Sequence, residues 1–597
     1  MRDRTIVGCG CLVAWLLSSV GCSDVAAKAD GSAAEEGGAG GRDGVAASPN
    51  ADGGGVSRDV EGGGNSDGSP CSSGSPPCTG ADLNGYVSQY ECRRGNSNCD
   101  VDVASLSQQA CDVTITISDT SWDKIMNNSQ ATVFCVQAGD HTAKGTLEPG
   151  FSGSESKPKV LRYYRASDDG TPPIKQAENE RAIVARIRLV DEDHWIIHRL
   201  TLDGKGGCGY AVEPVWPWDS VGDHADHNIF DSLLIQNYKG EMFADVGNWN
   251  TLQRSVVRNS IGAPEGSTCP TESMCVAVGS GSHFRTVNNE IYNCQKNIAI
   301  GSGVHDHVGL IIENNDIYAT PDIYSDCKGT YNGTGPCALS ESLLNLKAGG
   351  SKTDPVRVLH NRIWGARSGD WNLGLTSGGD GEAMGLGGSG DANDPGIQGV
   401  PGGDWVLLLN NVVFDSAIGF GTTYPRPDNI SLVGNVFWHM DAKNGGHYDP
   451  DAPSFFNFYG HLGNGEIYFN TLVDGEEWIE GTLDGGDVRC NAVINARAGN
   501  FGGSGFEVTG NGFYAAAPFS NNSSLMDTAL SSASESGNQD YCFYRKLVTG
   551  PEQVCIPHGK TTRQSPHYAP CTGGVGQRAG LGIDDKVWTW ADTLFGL

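Results

Sequence analysis

One phrase recurs through the middle of the chain: an apolar run, then Asn, any residue, and Ile, Val, Leu or Phe. Its copies carry Asn259, Asn289, Asn315, Asn361, Asn411, Asn435, Asn470, Asn491 and Asn511. The shortest spacings, 20, 21 and 24 residues, set the period, and longer ones hold the same unit with inserted loops. A second phrase fills the gaps. It reads Ala244-Asp245-Val246-Gly247, Val276-Ala277-Val278-Gly279, Ile298-Ala299-Ile300-Gly301 and Leu344-Asn345-Leu346-Lys347. It continues as Ile418-Gly419-Phe420-Gly421, Phe456-Asn457-Phe458-Tyr459 and Glu477-Trp478-Ile479-Glu480. Such alternation marks a strand with one buried face. It predicts Val246, Val278, Ile300, Leu346, Phe420, Phe458 and Ile479 as inward residues. Two short strands in a unit of about 22 residues leave no room for a crossover helix. The remaining solution is a coil of strands, each paired with its copy one coil on, with the Asn side chains stacked in an internal ladder.

Composition supports this and excludes other classes. The 597 residues include 85 glycines, too many for a helix bundle. The formal charge of −31 argues against a protein that holds nucleic-acid phosphates. Of 19 cysteines, several lie close together, as Cys71/Cys78, Cys92/Cys99, Cys269/Cys275 and Cys327/Cys337 do. They predict local disulfide staples in an oxidising compartment rather than a zinc site.

The repeat resembles the right-handed parallel β-helix superfamily, the pectate-lyase-like fold, over roughly residues 130–515. The opening segments Gln137-Ala138-Gly139-Asp140-His141 and His194-Trp195-Ile196-Ile197 share the likeness. The expected fold class is therefore all-β, a single right-handed parallel β-helix of about 10–12 coils. The N-terminus resembles a bacterial lipoprotein signal: Arg2 and Arg4, the apolar run 6–20, then Ser19-Val20-Gly21-Cys22, with Ser19 where such signals usually carry Leu. That resemblance implies lipidation at Cys22 and, with Ser23 following, outer-membrane sorting; an ordinary secretory signal is the alternative. The expected layout is a signal over 1–21, a disordered Gly/Ser/Asp-rich linker over 22–80, a Cys-containing cap over 81–130, the β-helix over 131–515 and a Cys-containing cap over 516–597. The membrane partner is then a lipid anchor only, and the folded part a monomer.

The second strand of each unit predicts a functional face. Its outward positions hold mostly Ala and Gly, which suggests a smooth trough floor for a polysaccharide. Lys347 stands where its neighbours have Gly, and Asn345 shares its face. In the superfamily that strand often carries catalytic residues, and polysaccharide lyases use a Lys or Arg base there. The resemblance thus implies eliminative chemistry on a uronic-acid glycan. Lys347 would be the base, Asn345 and Arg367 its helpers, and Ca²⁺ a cofactor on Asp245 and Glu213. Asn457, Tyr459, Trp478 and Trp371 are the expected sugar contacts. A non-catalytic glycan-binding or adhesive β-helix is the rival class, and a glycoside hydrolase the third. Two His-rich turns, Asp223–His227 and His305–His307, read more simply as strand-entry turns than as metal sites. The segment 369–404 reads as a long Gly/Asp-rich loop.

Overall fold

The computed structural model describes residues 103, 109–164, 170–213, 225–260, 274–302, 307–320, 342–366, 381–387, 404–422, 427–440 and 454–514, apart from a few positions within them, and the segments 541–547 and 550–556. Short strands follow one another in a fixed order of three, and every strand of the β-helix pairs in parallel with its counterpart one coil away. The first sheet runs through Trp195–His198, Ile229–Asp231, Thr251–Gln253, Arg285–Val287, Ile311–Glu313, Val356–Leu359 and Val406–Leu409. The second runs through Val256–Arg258, Glu290–Tyr292, Asp316–Tyr318, Arg362–Trp364 and Val412–Ser416. The third runs through Phe243–Asp245, Val276–Val278, Ile300–Ser302, Leu344–Leu346, Glu382–Leu386 and Ile418–Thr422. Its next rung is the opening part of the long strand Ser454–Tyr468, where Phe456, Asn457 and Phe458 pair with Phe420, Gly421 and Thr422. Parallel strands joined this way coil to the right because each strand itself twists to the right.

The core lies inside the coils. Val278, Ile300, Leu346, Phe420, Phe458 and Ile479 are all at most 2% exposed, as the alternation predicted. Val246 lies outside the described residues. Branched and aromatic side chains fill the narrow interior, and polar backbone groups are absorbed by pairing along the axis.

The Asn ladder forms between the first and second sheets. Asn315 shows the pattern. Its Oδ1 accepts from the backbone N–H of Asn289 at 2.9 Å and from Asn289 Nδ2 at 3.0 Å. Its Nδ2 donates to the Thr286 carbonyl at 2.9 Å and to Asn361 Oδ1 at 3.0 Å. The same bonds run on through Asn411, Asn435 and Asn470 to Asn491. Asn259 is not a member. It follows the strand Val256–Arg258 with φ +57, a left-handed corner that suits Asn. Ser255 holds the ladder position, its N–H donating to Asn289 Oδ1 at 2.8 Å. Asn511 lies outside the described residues. A second, shorter ladder was not foreseen: Trp195 N–H donates to Asn228 Oδ1, and Asn228 N–H to Asn250 Oδ1.

Two further expectations change. The segment 369–404 is not all loop, because Glu382–Leu386 is a full rung of the third sheet, paired with Leu344–Leu346 and Ile418–Thr422. Cys275 is bonded to Cys294, not to Cys269, and a second disulfide joins Cys111 to Cys135. Sequence proximity misled for Cys275, since neighbouring coils bring residues about one period apart into contact. The strands Tyr541–Leu547 and Gly550–Ile556 pair antiparallel, with Cys542 opposite Cys555. Among the described residues no helix is long and apolar enough to cross a membrane. Cys22 and the whole segment 1–80 lie outside the described residues.

Candidate functional site

The third sheet's register fixes which residues share its outer face. Ala244 pairs with Ala277, Ala277 with Gly301, and Gly301 with Asn345. The column continues through Gly385, Gly421 and Asn457 to Glu480. Aligned on their inward residues Ile300, Phe420 and Ile479, the sequence phrases instead place Ala299, Gly419 and Trp478 in this column. The strands differ in length, so that alignment slips by up to two residues. Ala299 and Trp478 are instead 0% exposed members of the core cluster, and Trp478 is not available to stack on a sugar.

With three parallel sheets in step along one axis and an internal amide ladder at their corner, the architecture is decided. The fold is that of the right-handed parallel β-helix superfamily. No family model matches the sequence, and no curated protein matches it. Solved structures similar to this β-helix include an alginate lyase from Paenibacillus sp. str. FPU-7, at 11% identity and TM-score 0.25, covering 59% of this chain and 95% of that one. A mannuronic acid specific polysaccharide family 6 lyase from human gut microbiota matches at 11% identity and TM-score 0.39, covering 71% and 89%. The Streptococcus pneumoniae surface adhesin PfbA matches at 10% identity and TM-score 0.34, covering 73% and 95%. Likenesses this distant say nothing about chemistry.

The Ala and Gly residues of this β-helix are not an open floor. Three residues before each column position stands a side chain that lies down beside or over it. Tyr210, Met274 and Ile298 form a buried apolar cluster with Ala244 and Ala277. Glu241 stands in the same row between Tyr210 and Met274 and is 7% exposed. A Cβ on Gly301 would clash with Met274 Sδ and lie 2.9 Å from Ile298 Cγ2. Small residues occur here because a second row of side chains occupies the space above them.

That second row changes character at the coil of Lys347. After Met274 and Ile298 come Ser342 and Glu382, and then Ile418, so the polar stretch spans two coils. Ser342 Oγ donates to Glu382 Oε2 at 2.7 Å. A Cβ on Gly385 would meet Glu382 Oε2 at 2.5 Å, and one on Gly421 would collide with the same carboxylate. The two glycines therefore make the seat in which the Glu382 carboxylate rests, 4% exposed. Sequence reasoning missed Glu382 because it treated that stretch as loop; the apolar alternation Ala383-Met384-Gly385-Leu386 was the signal available.

Further along, Asn457 is 0% exposed and donates from Nδ2 to Glu480 Oε2 at 3.3 Å. It is thus a support for Glu480 rather than a surface contact, because its rung is covered while Glu480 remains partly exposed. Lys347 follows the end of its strand, is partly exposed, and its backbone N–H donates to Ser302 Oγ at 2.9 Å. Its counterpart one coil on is Gly387, not Gly421. Asn345, 8% exposed, lies in the outer column beside Gly385, whose space Glu382 fills. The structure thus brings Lys347, Asn345, Ser342 and Glu382 onto adjacent coils.

The expected calcium ligands do not share a column. Glu213 pairs with Arg188 and Asp245 with Val278, one residue out of step, since Val212 pairs with Phe243. Among the described residues no group of three or more His, Cys, Asp or Glu is placed to hold a metal ion. Tyr459 lies in a strand, but its side chain, like those of Glu213 and Asp245, is outside the described set. Arg367 and Trp371 lie outside the described residues altogether. Of the two His-rich turns, His227 is an exposed left-handed corner residue stacked on His194 at 5.0 Å, and His307 is buried.

Proposed function

We propose that this β-helix binds a polysaccharide along the outer face of its third sheet and cleaves it by β-elimination, with Lys347 as the base. The observation that carries the reading is the hydrogen-bonded pair Ser342 and Glu382, which interrupts the apolar row of Met274, Ile298 and Ile418 at the coil of Lys347 and the next. The base takes the proton beside a uronate carboxyl, the electron pair moves toward C4, and the C4–O bond breaks. The Lys347 amine becomes the ammonium on taking that proton and returns it to the departing O4, and Ser342, Asn345 and Glu382 lie on its own coil and the next. The buried Glu382 and the Glu480 carboxylate repel a uniformly anionic polymer at short range. A glycan with its uronate at the cleaved position and neutral sugars beyond suits this charge pattern better than a polyuronate. The overall charge of −31 weighs the same way.

One observation favours a second reading. The seat of Glu382 at Gly421 is two rungs from Glu480, about 10 Å at the strand spacing, near the upper end of the separation that inverting glycosidases use. Hydrolysis by that carboxylate pair would leave a saturated product. The deciding experiment is a panel of uronate-containing and neutral glycans incubated with wild type and Lys347→Ala. New ultraviolet absorbance from an unsaturated uronyl end, lost in Lys347→Ala, supports elimination. New reducing ends without it support hydrolysis. Binding without any cleavage would leave a glycan-binding or adhesive β-helix. Anchoring through a lipid on Cys22, with residues 23–80 as tether, completes the proposal of a surface protein.

A further inference from the structure

Val103 is 1% exposed, and its burial lies outside the coils rather than within them. Its cluster holds Val133, Val160 and Ile196, with Ile229 packed against it. Those four form one outward column of the first sheet. Their neighbours Phe134, Leu161, Ile197 and Phe230 point the other way, into the core. Two bonds give the course of the segment that precedes the strand Val113–Ile115. Cys111 is joined to Cys135 on one rung, and the Gln109 carbonyl accepts from Arg162 Nη2 at 2.7 Å on the next. Followed toward the N-terminus, the chain therefore runs along the outer face of the first sheet, toward later coils.

Further along, the same face is buried again by apolar residues. Leu359, Leu407, Leu409, Val433 and Tyr468 point outward, are at most 4% exposed, and form a cluster separate from the core. Side chains that face away from the interior of a β-helix lose their water only where another segment lies on them. Between the two clusters the face is polar, and Asp231, Gln253 and Arg285 are at most 8% exposed.

The chain before Val103 suits this path in length and in pattern. His198 and Tyr468 share a column eight rungs long, about 38 Å at the strand spacing. Residues 81–102 reach about 70 Å when extended, so they cover it with slack. Residues 91–100 are mostly polar, as the middle of the face requires. Beyond them stand Leu83, Tyr86, Val87 and Tyr90, an apolar group that matches the far cluster.

We infer that residues 81–102 form an arm laid along the outer face of the first sheet, with Tyr86, Val87 and Tyr90 seated on Leu407, Leu409 and Val433. The arm ties the first coil to coils hundreds of residues later. It also shields an apolar sheet face that would otherwise invite association with a second copy. The inference is independent of the cleavage reading.

The test places photoreactive benzoylphenylalanine at Tyr90 of the full chain, and in a second variant at Tyr86, and maps the cross-links by mass spectrometry. Cross-links within one chain to the peptides of Leu407 and Leu409 or of Val433 are expected. Cross-links to residues 515–597 or between two copies would overturn the inference, as would none to the first sheet. A second measurement uses ordinary side chains. Tyr86→Ala/Tyr90→Ala should raise hydroxyl-radical labelling of Leu407, Leu409 and Val433 severalfold over wild type, with the inward Leu408 and Leu432 unchanged. Equal labelling of the outward residues in both proteins would show that some other segment covers them.

Discussion

Replacing Asn361 by Ala tests the ladder at the coil that follows Lys347. The side chain makes four bonds: two accepted from Asn315, at 2.9 and 3.0 Å, one donated to the Ile312 carbonyl at 2.8 Å, and one donated to Asn411 Oδ1 at 3.0 Å. Asn361, Asn315 and Asn411 are all 0% exposed, so no bulk water replaces what is lost. The backbone N–H of Asn315 becomes a buried orphan, costing about 1–3 kcal/mol, and each of the other three groups loses a bond worth about 0.5–1.5 kcal/mol. Partial relaxation trims the total, leaving about 2–6 kcal/mol, a large part of the ~5–15 kcal/mol that holds a domain together. The control is Asn259→Gly, at a corner with φ +57 and outside the ladder, which should shift stability by less than about 1 kcal/mol. Urea unfolding measured by the midpoint, with hydrogen exchange of the amides around residue 315, reads both effects. Asn361→Ala and Asn259→Gly shifting the midpoint alike, with exchange at Asn315 unchanged, would refute the claim that the amide stack is an energetic spine.

Other outcomes follow from the same geometry. Gly421→Ala places a methyl group against the Glu382 carboxylate and should lower activity severalfold while moving the melting temperature little; unchanged activity would show that Glu382 takes no part. Burial, opposed by a hydrogen bond from the Val190 N–H and reinforced by Asp191, Glu148 and Asp193, pushes the Glu192 carboxyl up to about 7 from a usual 4.5. A carboxyl raised in the folded state favours folding most below its unfolded value, and that contribution is lost as pH rises through about 7. Glu192→Gln should therefore stabilise at pH above about 7 and have little effect near 4.5, and a pH-independent gain would contradict this. Breaking Cys275–Cys294, which closes a 19-residue separation, should cost about 3 kcal/mol under oxidising conditions, checked by comparing Cys275→Ala/Cys294→Ala with wild type in urea. Cys22→Ala should release the protein from membranes into the soluble fraction, and full retention would disprove the lipid anchor.

Fold class was legible because the determinant is periodic. Asn289 and its successors recur in one context, and the inward residues Val278, Ile300 and Phe420 alternate with small or polar ones. Register was not legible, because strands of unequal length begin at different points relative to the Gly that ends them. That is why Trp478 looked like a surface residue and lies in the core. The site was half legible. Lys347 stood out against Gly, but Glu382 owes its place to two glycines, Gly385 and Gly421, on different coils. Nothing local in the sequence links a carboxylate to the absence of two distant side chains. Asn457 illustrates the same limit: its residue type suggests a surface contact, while the rungs beside it cover it.

The in-step pairing of the coils makes the length of the chain divisible. Asn411 and Asn435 are equivalent positions 24 residues apart, so excising residues 411–434 would bring Asn435 against Asn361 with every bond of the same kind. Such a deletion removes Gly421 along with its coil, drawing Asn457 up beside Gly385 and taking half the seat from Glu382. Stability and activity would then part company: a whole-number excision keeps the scaffold's pattern, while the distance between the two ends of the polar face shrinks by one unit. Evolution by duplication or loss of coils could in this way retune the reach of the face in discrete steps, without redesigning a single strand.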